Sequence, residues 1–298
     1  MARQWKPSMV ERAAERLEEP GSAQDTSPHP SADPGTGSRR RPIAAAARMR
    51  VDPHRLAKAG IYSPTMAANR TTEEFRLIKQ GVLQRVAKAS ETGMGSANVI
   101  MVTSTRQGEG KSFVSANLAV SIAAEEGRPV VLIDADASRS SIARIFGLPR
   151  GPGLLDLLAS GDLGVADVLV ATNLGGLHII QVGRPHPLGS ELLSGERMGR
   201  FLEEIARECR DGIVIFDASP VLATAEPGAL ARHVGQVVYV VEAEETGRLA
   251  VAEALNLISI CPNIGFVLNK LRFRFGAVRF GNYYKYYYKR ASRSKTRR

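Results

Sequence analysis

Short apolar runs alternate with amphipathic stretches over most of the chain beyond residue 97. Six runs, 98–103, 129–133, 176–182, 212–216, 236–241 and 263–268, are too short for helices, and most are rich in Val and Ile, residues that suit a buried, pleated surface. Between them, 111–124, 197–208 and 248–260 repeat apolar residues at helical spacing. Strands apolar on both faces with helices between them predict an α/β fold, a mostly parallel, doubly wound sheet joined by right-handed crossovers. Ahead of the first run, Thr71-x-x-Glu74 reads as a capping box followed by Phe75, Ile78, Val82 and Val86, which predicts a helix over 72–89 that opens the folded domain. Farther upstream only 10–17 has an amphipathic pattern. Residues 20–42 are dominated by Ser, Pro, Gly and Asp and cannot bury enough apolar area to offset their ordering entropy. The expected organisation is a disordered N-terminal region and linker over 1–70, a folded domain over 71–272 and a flexible basic tail over 273–298.

Composition changes this picture little. The 298 residues are 44% apolar and 23% charged, an ordinary globular balance that excludes collagen-like and disulfide-scaffold classes. Cys209 and Cys261 stand far apart with no metal-ligand spacing, which fits a reducing cytoplasm. No run approaches the roughly 20 apolar residues that span a bilayer, and the charged N-terminus lacks the apolar core of a signal peptide. The expectation is a chain neither exported nor anchored by a helix of its own. Charge does change the picture, through its location. The net +10 comes from 271–298, where ten Lys and Arg occur with no acid, while the preceding residues hold thirty charges of each sign. A block of like charge at a terminus reads as an interaction tail and not as a nucleic-acid-binding face; no specific nucleic acid is expected.

Open parallel sheets bind ligands beyond the carboxyl ends of their strands. The first run is followed there by Ser104-Thr105-Arg106-Gln107-Gly108-Glu109-Gly110-Lys111-Ser112, which opens directly into a helical pattern. Such glycines let backbone N–H groups turn toward an anion, the helix N-terminus adds its positive end, Lys111 can reach outer phosphates and the Ser112 hydroxyl can ligate Mg²⁺. The strict pattern has Gly or Ala where Thr105 stands. Two later runs end in acids, Asp134 with Asp136, and Asp217. Carboxylates at the tips of buried strands need a cation, and a hydrated Mg²⁺ beside the phosphate loop would supply it; the plainer alternative is that one of them only caps the next helix.

In this order the motifs resemble those of the bacterial tyrosine kinases, a P-loop NTPase family. The resemblance runs from about residue 51 to 290 and includes Ser190-Glu191-Leu192-Leu193-Ser194 and Phe216-Asp217-Ala218-Ser219-Pro220. Val182-Gly183-Arg184-Pro185-His186, with the strand end at Asn269 and the Tyr-rich terminus, is most similar to the autokinases that accompany exosortase-type exopolysaccharide clusters. The resemblance implies an ATP- and Mg²⁺-dependent protein-tyrosine autokinase. Gly108, Glu109, Gly110, Lys111 and Ser112 would hold the phosphates, and Ser112, Asp134, Asp136 and Asp217 the metal, directly or through water. Lys111, Asp134 and Asp136 would be catalytic, one of the two acids accepting the phenol proton, and Asn269 would lie near adenine. Gln107 and Ser138 depart from the family pattern, which has Pro and Arg there.

Tyr283, Tyr284, Tyr286, Tyr287 and Tyr288 fall within six positions beside Lys285, Lys289 and Arg290. A basic tail is drawn to an acidic, nucleotide-loaded site, and each phosphate adds roughly −1.5 to −2 charges, so phosphorylation of this cluster would act as an electrostatic switch. Glu73, Arg76 and Lys79 share a helical face and are similar to the family's oligomerisation motif. The resemblance implies a ring-shaped homo-oligomer at the inner face of the cell membrane, held by a separate membrane polysaccharide chain-length regulator and reset by a tyrosine phosphatase. The alternative is a MinD- or ParA-like ATPase switch on membrane or DNA, whose signature Lys is replaced here by Arg106.

Overall fold

The computed structural model describes residues 47–62, 70–91, 96–125, 128–209 and 211–271. Its centre is an eight-stranded sheet. In chain order the strands are β1 (Ala47–Met49), β2 (Val99–Ser104), β3 (Val130–Ala135), β4 (Leu169–Thr172), β5 (Leu177–Ile180), β6 (Ile213–Ala218), β7 (Gln236–Glu242) and β8 (Ile264–Asn269). Across the sheet the order is β1-β4-β5-β3-β6-β2-β7-β8. Every neighbouring pair is parallel except β4 with β5. All six predicted strands are present, and the mostly parallel α/β architecture is the one the apolar runs require.

β2, β3 and β6 are buried along their whole length because helices cover both faces. One face carries α1 (Pro53–Lys58), α2 (Arg70–Glu91), α3 (Lys111–Ala123) and α4 (Ile142–Phe146); the core there includes Leu56, Phe75, Val82, Leu118 and Phe146. The other carries α5 (Leu154–Ala159), α6 (Val165–Val168), α7 (Gly189–Ser194), α8 (Glu196–Glu208), α9 (Glu226–Leu230) and α10 (Arg248–Leu257), around Leu154, Phe201, Phe216 and Tyr239. α2 begins two residues before the predicted start, so Thr71 lies inside the helix and not at its cap.

The linker expectation needs correction between residues 47 and 62. β1 adds a strand to the sheet through β4, Asp52 caps α1 by accepting from the His54 amide, and Val51, Leu56 and Ile61 are buried. Two asparagines hold the segment. The Val51 amide donates to Asn173 Oδ1 at 2.7 Å and the Tyr62 amide to Asn117 Oδ1 at 2.8 Å. The composition of 20–42 does not extend to this stretch, whose three apolar anchors are too widely spaced to show a period. The rest of 1–70 that was read as linker, 1–46 and 63–69, lies outside the described residues.

Because Leu56 is fully buried and Leu77 on α2 is 61% exposed, Leu56→Ala is expected to lower unfolding free energy by about 2–5 kcal/mol. Leu77→Ala should change it by about 0.5 kcal/mol or less. Urea denaturation of both variants checks whether the segment before α2 belongs to the cooperative fold.

Candidate functional site

The loop between β2 and α3 is built from glycines in conformations that other residues avoid. Gly108 and Gly110 have φ of +91° and +98°, in the region where a Cβ is strained. An added Cβ at Gly110 would also overlap the side-chain amide of Asn269. Asn269 itself braces the loop, its Nδ2 donating to the Glu109 carbonyl at 2.9 Å. Glu109 is buried and works as a cross-brace: Oε2 accepts from the Arg106 amide at 2.7 Å and Oε1 from the Thr246 hydroxyl at 2.5 Å. Thr105 has its own reason to be there. Its buried hydroxyl pairs with the Tyr239 hydroxyl at 2.8 Å, and its carbonyl, like that of Ser104, accepts an amide from the segment after β6. Arg106, Gln107 and Gly108 form the exposed tip, so Gln107, one of the two departures from the family pattern, stands at the surface of the loop.

The acids meet this loop from β3 and β6. Asp134 and Asp217 are register partners on the two adjacent strands, and Asp134, Asp136, Asp217 and Lys111 are all buried. Lys111 Nζ lies 2.5 Å from Asp136 Oδ2. The other oxygen of Asp136 accepts from Ser138 Oγ at 2.6 Å, the Ser138 amide at 3.2 Å and Ser219 Oγ at 3.3 Å. Asp217 Oδ1 accepts from Ser115 Oγ at 3.0 Å. Its Oδ2 makes no hydrogen bond among the described residues, and the nearby Ser112 hydroxyl favours the ionised carboxyl.

Asp134 is differently engaged. Oδ1 accepts from the Asp136 amide at 3.2 Å, and Oδ2 accepts from the Ile142 amide, first in α4, at 3.2 Å. It therefore holds the turn after β3 together, and of the three acids it is Asp134 that meets the first amide of the next helix. The expectation that Asp134 ligates a metal directly is narrowed accordingly, since both its oxygens already accept backbone N–H groups.

Burial sets the electrostatics. Desolvation, reinforced by the Asp217 charge, pushes the Asp134 carboxyl up to about 8. Asp217 is also raised, by burial, against the pull of Lys111. Burial works against the charge of Asp136 too, but the ammonium of Lys111 and the Ser138 donors outweigh it and hold this carboxyl below its usual range. Lys111 is raised because the three acids overcome its desolvation. One ammonium thus offsets one carboxylate while two more carry a desolvation penalty.

That shortfall, together with the unsatisfied Asp217 Oδ2 beside Ser112, fits a divalent cation. Among the described residues no three acidic, His or Cys side chains form a cluster able to hold a metal alone. The fitting ion is therefore one that completes its shell with water and phosphate oxygens, as Mg²⁺ does.

The candidate oligomerisation residues Glu73, Arg76 and Lys79 lie on α2. Lys79 pairs with Glu125 at 2.8 Å and reaches the Ser121 carbonyl at 3.4 Å, tying α2 to the end of α3, while Arg76 pairs with Glu73 at 3.3 Å. All three are engaged within their own chain. The tyrosine cluster at 283–288 lies outside the described residues.

A glycine-lined loop opening a helix, with a lysine and strand-end acids behind it, defines a P-loop nucleotide-binding domain. A family model described as ParA, NUBPL iron-transfer P-loop NTPase, matches residues 95–156, which contain the loop and the Asp134–Asp136 strand end. The tyrosine-protein kinase YwqD of Bacillus subtilis is 32% identical over 174 residues, 57% of this chain and 71% of that protein. The putative tyrosine-protein kinase EpsB of Ralstonia solanacearum is 36% identical over 207 residues, 66% of this chain; the chain spans only 27% of EpsB's length. Among solved structures the VpsO kinase domain superposes with a TM-score of 0.56 at 28% identity, covering 68% of this chain and 100% of that one. The chain belongs to the bacterial tyrosine-protein kinase family.

Several contacts escaped the sequence motifs. Ser115, Ser138, Ser219, Tyr239 and Thr246 all touch the loop or its acids; of these only Ser138, as a departure from a pattern, and Ser219, within a matched segment, carry any signal in the sequence.

Gly110→Ala is expected to weaken nucleotide binding at least tenfold, because it strains the backbone and displaces Asn269; titration calorimetry with ATP measures it. The raised Asp134 carboxyl takes up a proton on folding from about pH 4, its unfolded range, to about pH 8. Its contribution to stability is full below that window and is lost as pH rises through it. Asp134→Asn should flatten the fall of Tm between pH 5 and pH 8 relative to the parent protein.

Proposed function

We propose that the chain is an ATP- and Mg²⁺-dependent protein-tyrosine kinase that phosphorylates the tyrosines of its own C-terminal tail and thereby regulates polymerisation or export of an exopolysaccharide. The observation that carries this reading is the buried Lys111–Asp136–Asp217 constellation behind the loop at 108–112, in a chain of the tyrosine-kinase family. Phosphoryl transfer demands chiefly positioning and charge stabilisation, and these are what the site offers. The amides of the loop and Lys111 would bind the β- and γ-phosphates. Ser112 and Asp217 would hold Mg²⁺, which when bound neutralises charge on the transferred group. Asp136, with its ordered carboxylate, is our candidate to orient and deprotonate the acceptor phenol, and Asn269, at the rim of the loop, our candidate for contact with the base.

Charge supports a basic tail as substrate: a bound triphosphate would make the site anionic, and 271–298 carries ten positive charges around five tyrosines. Localisation at the inner membrane face, through a separate membrane chain-length regulator, belongs to the same proposal. Among the described residues no helix is long and apolar enough to cross a membrane. A ring of copies and a resetting tyrosine phosphatase complete it. The internal pairing of Glu73, Arg76 and Lys79 means that a ring built on α2 would first exchange these contacts.

Purified protein incubated with γ-labelled ATP and Mg²⁺ is expected to incorporate label between Tyr283 and Tyr288, mapped by mass spectrometry. Lys111→Met should lower incorporation by about a hundredfold or more, since it removes a cation from the developing charge. Equal labelling of the two proteins, or label retained after all five tail tyrosines are changed to Phe, overturns the proposal.

A further inference from the structure

Two serines from different loops donate to the same oxygen of one buried carboxylate. Ser138 follows β3 and reaches Asp136 Oδ1 with both its hydroxyl, at 2.6 Å, and its amide, at 3.2 Å. Ser219 follows β6 and reaches the same oxygen at 3.3 Å. Ser219 is itself fixed, being buried and accepting the Thr103 hydroxyl on its carbonyl at 2.7 Å. The opposite oxygen, Oδ2, accepts from Lys111, its one partner among the described residues. Asp136 is 1% exposed, so water cannot replace any donor it loses.

This division has a consequence for nucleotide entry. Lys111 is the loop's only ammonium, and in the structure it is committed to Asp136. To meet the outer phosphates of a triphosphate it must turn from that carboxylate, and a buried charge stripped of its only cation is strongly disfavoured unless other donors remain. We propose that Ser138 and Ser219 are positioning residues that hold Asp136 charged and aimed while Lys111 is handed over to the phosphates. The proposal rests on the reading of 108–112 as a triphosphate site, and it does not depend on where the γ-phosphate goes afterwards. The three N–H and O–H donors stay on Oδ1 before and after the transfer of Lys111, so the carboxylate neither swings into the phosphate pocket nor holds the lysine back. Hydrogen bonds to an ionised group are strong enough to matter here.

The test is a double-mutant cycle read by equilibrium ATP binding. With Lys111 present, S138A/S219A should weaken Mg²⁺-ATP binding about tenfold, because release of Lys111 then leaves Asp136 with the residue-138 amide in place of three donors. In the Lys111→Met background no lysine is handed over, the partners of Asp136 are the same before and after binding, and the same serine substitutions should leave affinity within about twofold. The loop amides remain in both backgrounds, so titration extended to millimolar ATP reads both. S138T/S219T keeps the hydroxyls and should bind ATP as the parent protein does. A loss of equal size in both backgrounds, no loss in either, or a loss in the Thr variant as large as in the Ala variant overturns the proposal. A parent protein that binds no ATP overturns the triphosphate-site reading itself, whereas a protein that binds ATP and shows the coupling but labels no tyrosine leaves the serine roles intact and removes only the kinase.

Discussion

The ends of β3 and β6 place three carboxylates and one ammonium out of reach of water, and most of what is distinctive about this molecule is a response to that arrangement. A parallel sheet covered on both faces cannot solvate charge at its strand tips. The protein answers with two strategies. Asp134 is spent structurally, its oxygens taken by the amides of Asp136 and Ile142, and burial keeps it protonated to about pH 8. Asp136 stays ionised through Lys111 and the serines. Asp217 is left half satisfied, one oxygen on Ser115 and the other open beside Ser112. The three acids share a neighbourhood but not a role, and only the unsatisfied one calls for a further cation.

The same constraint explains the bracing of the phosphate loop. A loop that aims backbone N–H groups at an anion has few internal hydrogen bonds of its own, so its shape must be fixed from outside. Here β7 and β8 supply that framework: Tyr239 meets Thr105, Thr246 meets Glu109 across the turn after β7, and Asn269 closes on Glu109 and Gly110. Thr105 in place of a small residue is then no defect, because its hydroxyl finishes a buried pair that Gly or Ala would leave with an unpartnered phenol.

How much of this was visible in the sequence divides along physical lines. The six buried strands announce themselves because a fully covered strand must be apolar throughout, and the loop because only glycine accepts its backbone angles. β1 and β4 gave no such signal. They are three and four residues long and lie toward the sheet edge, where Arg48 and Thr172 are tolerated, so no run forms. The segment 51–62 is held by Val51, Leu56 and Ile61 and by two asparagine side chains 55 and 122 residues distant, contacts that no local window contains. The site follows the same rule. Lys111, Asp134, Asp136 and Asp217 are legible as motif positions, but the division of labour among the acids depends on which amides the turn after β3 presents, and the serines gain meaning only when two loops from separate strands are brought to one oxygen. Lys79 shows the converse: its spacing with Glu73 and Arg76 is that of a shared face, yet α3 lies close enough to claim it.

The course of the chain also ties the proposed acceptor to the proposed donor. β8 runs parallel to β7 and ends at Asn269, the residue that hydrogen-bonds the loop, so the last described strand ends at the rim of the phosphate site. Tyr283 follows fourteen residues after Asn269, which fully extended span at most about 46–50 Å. On the proposed function, a phenol tethered that close to the loop would meet it at an effective concentration set by the linker and not by the amount of protein. The basic charge of 271–298 would add attraction toward bound phosphate. Each phosphate placed on a tyrosine there would remove part of that attraction, so modification would favour release by the charge it adds.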